Sequence, residues 1–117
     1  MKTLIILMIL FPTISQADWS NGDTNRQLAF TGVLMLDWAQ TRYIANNPIE
    51  FQEDNKILGR HPTISRVNGY FASAALIHWG ISYALPPSAR KVWQNISIAV
   101  EAGKVGRNFE IGIGMDF

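Results

Sequence analysis

The stretch Ser65–Leu85, SRVNGYFASAALIHWGISYAL, decides the fold because it is rich in apolar residues and carries no charged side chain after Arg66. At about 20 residues it is just long enough to cross a hydrocarbon core of about 30 Å. Tyr70 and Tyr83 would then lie near the two interfaces, where aromatic side chains are enriched. Two prolines, at positions 86 and 87, end the segment. The sequence therefore predicts a helix here that spans a membrane.

Two more helices are predicted, one on each side of this stretch. The first runs from about Arg26 to Ala45, and Asp23 or Thr24 is expected to cap it. The third runs from about Ala89 to Val105 with Ser88 as its cap. Polar residues interrupt the apolar pattern of the third helix, so it is a weak membrane span by itself.

The last nine residues follow a different period. Apolar residues alternate there with polar residues and glycines from Phe109 to Phe117. Alternation with a period of two is typical of a β-strand. We therefore predict a short extended segment at the C-terminus, and this segment offers a way to dock on the outer membrane.

The N-terminal residues 1–17 have the pattern of a secretory signal peptide. Lys2 supplies a positive charge, an apolar run follows, and Ser15 and Ala17 place small residues at the positions that signal peptidase reads. Cleavage would leave Asp18 at the N-terminus. The alternative is an uncleaved anchor, although the apolar run is short for a span. The pattern predicts an exported protein of the cell envelope, with the inner membrane favoured over the outer membrane and the periplasm.

Composition narrows the class of protein. The 117 residues include no cysteine, which excludes a disulfide scaffold, a cysteine zinc finger and a thiol nucleophile. The formal net charge of +1 gives no reason to expect a nucleic-acid partner. Charged residues make up 16% of the chain, below the roughly 25% of ordinary soluble domains, and this favours association with a membrane.

Together these patterns predict an all-α fold, in which two to three membrane-associated helices form a small bundle with a short C-terminal β-like segment. The domain order is a signal peptide (1–17), a polar leader (18–25), a helical membrane domain (26–107) and an extended tail (108–117). A charged connector, residues 49–63, separates the first two helices.

Each predicted helix carries a polar stripe at helical spacing. Asp37 belongs to the stripe of the first helix, His78 to that of the second and Glu101 to that of the third. Because a lone buried carboxylate is costly, we expect these three side chains to face one another. Such a cluster fits three functional roles: divalent metal binding, proton relay or acid–base catalysis. The alternative is a hydrogen-bonded polar core that fixes the helix register.

Two motifs resemble a group of small helical membrane proteins of bacteria and their prophages. They are Asp37–Thr41 (DWAQT) and Glu53–Pro62 (EDNKILGRHP), and the positions Arg66–Asn68, His78 and Glu101–Gly103 also fit the group. The group has no assigned activity. The resemblance therefore implies a helical membrane protein and a phage origin, and it implies no mechanism.

We predict a non-catalytic envelope role, such as superinfection exclusion or assistance in lysis, with no cofactor. The expected partners are membrane lipid, an envelope protein or a second copy of the chain. Self-association would use pairs of small residues such as Gly69 and Ser73, which let helices approach closely. The alternatives are a membrane-embedded metal-dependent enzyme that uses Asp37, His78 and Glu101, and a module docked on the outer membrane through the C-terminal strand.

Overall fold

Three α-helices make up the described part of the chain. A computed structural model describes residues 19–117, and its helices are α1 (Asn21–Asn46), α2 (Ile64–Ala84) and α3 (Pro87–Glu110). The predicted all-α class is confirmed. The predicted signal peptide, residues 1–17, lies outside the described residues.

Helix α1 begins before the predicted start at Arg26 because Ser20 caps it. The Ser20 hydroxyl accepts a hydrogen bond from the Asp23 backbone N–H at 3.1 Å, and the Asp23 carboxylate accepts one from the Ser20 N–H at 3.0 Å. This reciprocal pair is a capping box with Asp in place of the usual Glu or Gln. The predicted polar leader is therefore wrong for residues 21–25, which are helical, and Asp23 lies inside the first turn.

Helix α2 agrees closely with the sequence pattern, whereas α3 runs five residues beyond its predicted end at Val105. Thr63 caps α2 by accepting a hydrogen bond from the Arg66 N–H at 3.2 Å. Proline ends α2, and Pro87 occupies the first turn of α3, where a missing N–H costs nothing. The predicted Ser88 cap is wrong, because α3 begins at Pro87, two residues before the predicted start at Ala89.

Helix α1 is the central element of the bundle. It packs along both α2 and α3, whereas α2 and α3 share a much smaller contact. The apolar core lies between α1, α2 and the connector, and its buried members are Phe30, Leu34, Leu58, Val67 and Phe71. Leu58 is the connector's contribution to this core.

Within residues 19–117, no helix is both long enough and apolar enough to cross a membrane. The predicted span at Ser65–Leu85 is therefore wrong. Helix α2 has the required length, but Asn68, His78, Ser82 and its many small residues lower its mean hydropathy.

The predicted C-terminal strand is also wrong, since the described residues contain no strand. Helix α3 continues to Glu110, and a Schellman motif then ends it. The Gly112 N–H donates to the Phe109 carbonyl at 3.1 Å, and the Ile113 N–H donates to the Asn108 carbonyl at 3.0 Å. Gly112 has φ +88°, a left-handed conformation that favours glycine.

The residues after this motif form an irregular tail that lies against α1. The Asp116 N–H donates to the Ala39 carbonyl at 2.9 Å, and Arg42 donates to the Asp116 carbonyl at 3.1 Å. Gly114 lies so close to Tyr43 that an added Cβ would be 2.8 Å from the ring. The tail therefore takes its shape from specific contacts with α1.

Candidate functional site

The structure divides the three predicted site residues between two places. Asp37 and Glu101, hereafter the carboxyl pair, lie close enough to interact with each other between α1 and α3. His78 instead lies with Gln27, Ser82 and Gln94, hereafter the His78 cluster. The structure thus brings the two carboxyls together and places the imidazole in a separate network.

Hydrogen bonds fix the orientation of every amide in the His78 cluster. Arg26 donates to Gln94 Oε1 at 2.9 Å, so the Gln94 amide nitrogen is the group that donates to Gln27 Oε1 at 3.2 Å. Ser82 also donates to Gln27 Oε1, at 2.8 Å. The Gln27 amide nitrogen therefore donates to His78 Nδ1 at 2.9 Å. It follows that the neutral imidazole carries its hydrogen on Nε2.

The His78 ring is held between two aromatic rings. Its centroid lies 3.6 Å from that of Phe30 and 4.8 Å from that of Trp93, and both pairs are stacked. Burial lowers the pKa of His78 to about 4. The imidazole is therefore neutral at neutral pH.

A buried ion pair adjoins this cluster. Arg90 is fully buried and donates to the Asp23 carboxylate at 2.8 Å, to the Ser82 carbonyl at 2.6 Å and to the Leu85 carbonyl at 2.9 Å. Burial raises the pKa of Asp23, but the Ser20 N–H and Arg90 outweigh burial and hold that pKa below its usual value. Asp23 is therefore an anion, and both Arg90 and Arg26 pair with it. Since Arg90 lies near the start of α3 and also binds two carbonyls at the end of α2, the pair joins α1 to the turn region between α2 and α3.

The carboxyl pair has a different electrostatic character. Burial, followed by the hydrogen bond to Glu101 and its charge, raises the pKa of Asp37 to about 8. Thr41 lies 3.3 Å from the Asp37 carboxylate, and Lys104 lies 3.8 Å from Glu101 Oε1. Glu101 Oε2 is buried and accepts no hydrogen bond from an amide, hydroxyl or amine. Because its pKa is raised, the Asp37 carboxyl is protonated at neutral pH and can donate a hydrogen bond to Glu101.

A cavity of about 260 Å³ opens beside the carboxyl pair. It lies between α1, α3 and the connector, and its polar lining includes Asp37, Thr41, Glu53, Lys104 and Arg107. Burial also raises the pKa of Glu53. Groups with shifted pKa values in a cavity are typical of functional sites, although structural networks produce such shifts as well. Chemically, this cavity offers a proton from Asp37 beside two cationic side chains.

The described residues do not form a metal centre. Among residues 19–117, no group of three or more His, Cys, Asp or Glu side chains is arranged to hold a metal ion.

Sequence reasoning missed Gln27 and Arg90, the two residues that hold the His78 cluster together. A signal for each was present in the sequence. Gln27 precedes Phe30 by three residues and Arg90 precedes Gln94 by four, so each lies on the buried face of its helix. Neither a family model, nor a curated protein, nor a solved structure matches this chain.

Proposed function

We propose that this protein is a small exported protein of the cell envelope that acts by contact with lipid and without catalysis. A stripe of exposed apolar side chains on α3 carries the proposal. Val92 is 58% exposed, Ile96 59% and Val100 56%. Their spacing of four residues places them on one face of the helix. A patch of this kind typically marks a surface that binds a membrane or another protein.

Basic residues extend the same face of α3. Lys104 follows Val100 by four residues and Arg107 follows it by seven, and both are exposed. A helix with an apolar stripe and adjacent cations binds the interface of an anionic bilayer, where lipid headgroups meet the basic residues. This arrangement supports contact along the membrane surface.

The interior supports a non-catalytic role. In the His78 cluster, Gln27, Ser82 and Gln94 all bond to one another or to neighbouring helices, as expected of a network that fixes helix register. The alternative of a metal-dependent enzyme needed Asp37, His78 and Glu101 at one site. Since the imidazole lies in a different network, we do not propose that enzyme.

Two parts of the proposal rest on the sequence. Export rests on the pattern of residues 1–17, and a phage origin rests on the DWAQT and EDNKILGRHP motifs. A phage-encoded envelope protein of this size suits superinfection exclusion or assistance in lysis.

Cell fractionation tests the proposal. The expressed full-length protein should appear in the membrane fraction, an alkaline wash should release it, and N-terminal sequencing should begin at Asp18. Purified protein should also sediment with vesicles that contain phosphatidylglycerol. Protein that stays in the supernatant of both experiments would contradict lipid contact.

A matched pair of variants assigns the contact to the stripe. Ile96→Ser should reduce sedimentation with vesicles severalfold because it removes an exposed apolar side chain from the centre of the stripe. Ala102→Ser changes an exposed residue about 120° around the same helix from Ile96 and should leave sedimentation unchanged. Equal loss in both variants would contradict a role for the stripe.

A further inference from the structure

An apolar groove opens between α2 and α3 above the middle of α1. Its volume is about 310 Å³, and it is lined by Phe30, Tyr70, Ser73, Ala74, Ile77, His78 and Trp93. None of these lining residues is charged at neutral pH, since His78 is neutral. At about 30 Å³ for a group the size of a water molecule, the groove holds about ten such groups.

His78, which lines this groove, carries an unused hydrogen-bond donor. The hydrogen bond from Gln27 occupies Nδ1, so Nε2 carries the hydrogen. This Nε2 is buried and has no hydrogen-bond partner in the structure. A buried donor without an acceptor costs about 1–3 kcal/mol, so a retained one indicates a missing partner. The ring cannot turn to satisfy it, because Phe30 and Trp93 stack on its two faces.

We propose that this groove binds the ester end of a membrane-lipid acyl chain, with the ester carbonyl accepting a hydrogen bond from His78 Nε2. The first carbons of the chain lie along the apolar walls beside Ile77 and Trp93. This inference rests on the proposed function, and it names the part of the lipid that the protein recognises.

The lining selects an ester over an acid. A fatty-acid carboxylate needs a cation or several donors when it leaves water, and the groove offers one neutral donor. An ester carbonyl needs a single donor, which the imidazole provides. A pure hydrocarbon would fill the groove but leave Nε2 without an acceptor.

The groove lies next to the apolar stripe of α3. Trp93 lines the groove, and Val92 and Ile96 of the stripe are its neighbours along α3. On the opposite wall, Ile77 is 61% exposed, so a small outward movement of this side chain admits a chain from the bilayer side. A lipid that meets the stripe thus meets the mouth of the groove.

Binding of methyl octanoate to the purified protein tests the proposal. The ester should change the ring ¹⁵N and ¹H signals of His78 in an NMR titration, and it should quench or shift the fluorescence of the tryptophans. Octanoate, with the same chain but a carboxylate, should bind at least tenfold more weakly. Equal binding of the two ligands, or an unchanged His78 signal at saturation, would overturn the proposal.

Three variants distinguish specific binding of the ester in the groove from non-specific hydrophobic binding elsewhere on the protein. Ser73→Phe places a ring in the groove from an exposed position and should abolish ester binding while the fold is retained. His78→Phe removes the donor and should weaken ester binding at least tenfold. His61→Phe alters the other histidine, which is exposed on the connector, and should bind the ester as the natural protein does. Full ester affinity in Ser73→Phe would overturn the proposal even if His78→Phe fails to fold.

Vesicle sedimentation distinguishes failure of this inference from failure of the proposed function. If the protein sediments with vesicles but does not bind the ester, the groove inference is wrong and lipid contact stands. If it binds the ester but never sediments with vesicles, the proposed function is wrong, and so is a membrane lipid as the source of the acyl chain.

Discussion

The His78 cluster and the carboxyl pair are both buried along α1, but they satisfy their polar groups by different means. In the His78 cluster, amide, hydroxyl and guanidinium donors meet acceptors whose charge stays fixed across the neutral range. In the carboxyl pair, the proton on Asp37 allows two carboxyl groups, which would both be acceptors if ionised, to lie next to each other. The first region therefore holds the helices together at any neutral pH, whereas the second depends on the proton concentration.

Among substitutions in these two regions, loss of Arg90 should have the largest effect on the free energy of unfolding. Arg90→Met removes the fully buried cation of Asp23 and leaves only Arg26 beside it, so it should lower the free energy of unfolding by about 3 kcal/mol. Urea denaturation at pH 7 measures the change. Lys91→Met, at the exposed neighbouring position, should change stability by less than about 0.5 kcal/mol. Similar values for the two variants would show that the buried ion pair does not hold α1 to the turn.

His78→Ala should have the next largest effect. It removes a ring packed between Phe30 and Trp93 and leaves the Gln27 amide without its acceptor. We expect a loss of about 2–4 kcal/mol, measured by the same denaturation. His61→Ala on the exposed connector is the control and should be close to neutral. A near-neutral His78→Ala would contradict a structural role for the cluster.

The pH dependence of stability should separate the two regions. The folded state binds the Asp37 proton more tightly than the unfolded state, so this group favours folding as the pH falls from about 8 toward 3.8. His78 acts with the opposite sign between about 6.5 and 4, because there the unfolded state binds the proton more tightly. The two effects oppose each other below pH 6.5. Between pH 6.5 and 8 only the Asp37 effect remains.

Stability should therefore fall as the pH rises from 6.5 to 8, by at most about 1.4 kcal/mol per pH unit. Urea unfolding at intervals of half a pH unit measures this slope. Asp37→Asn removes the titrating group and should flatten it. A natural protein with constant stability over this range would contradict protonation of Asp37 at neutral pH.

At pH 7 itself, Asp37→Asn should have the smallest effect. The asparagine amide donates to Glu101 as the protonated carboxyl does, so we expect a change below about 1 kcal/mol in the free energy of unfolding. Asp37→Leu is the informative partner, since it fills similar space but offers no donor, and it should cost more than Asp37→Asn. Equal losses in the two variants would mean that the hydrogen bond to Glu101 does not matter.

Much of the fold could be predicted from the sequence, because local signals determine helices. The pattern predicted Ser65–Leu85 as a helix, and α2 spans Ile64–Ala84. The start of α1 was misplaced because its capping box uses Asp23 in a position where Glu or Gln is usual. The C-terminal alternation was misread as a strand because Gly112 takes a left-handed conformation that ends α3. A glycine within an alternating apolar pattern does not show by itself whether the segment continues as a strand or ends a helix.

The site was only half predictable, because helix periodicity identifies a buried face but not the height at which helices meet. The polar stripes lie on buried faces, as their spacing indicated. His78, however, meets α1 at Gln27, ten residues before Asp37, which is about 15 Å along the helix. Only the angle and offset between α1 and α2 decide this level, and they follow from the packing of the whole core.

The contact between the tail and α1 has a consequence for the order of folding. Asp116 bonds to Ala39 in the C-terminal half of α1, so the first of the described helices receives one of its last contacts from the C-terminal tail. Contacts between residues so far apart in sequence form late and slow the folding rate. Until then, part of the surface of α1 stays uncovered and available to chaperones. If the chain is exported as proposed, this delay would keep the polypeptide in an unfolded form that a translocation channel accepts.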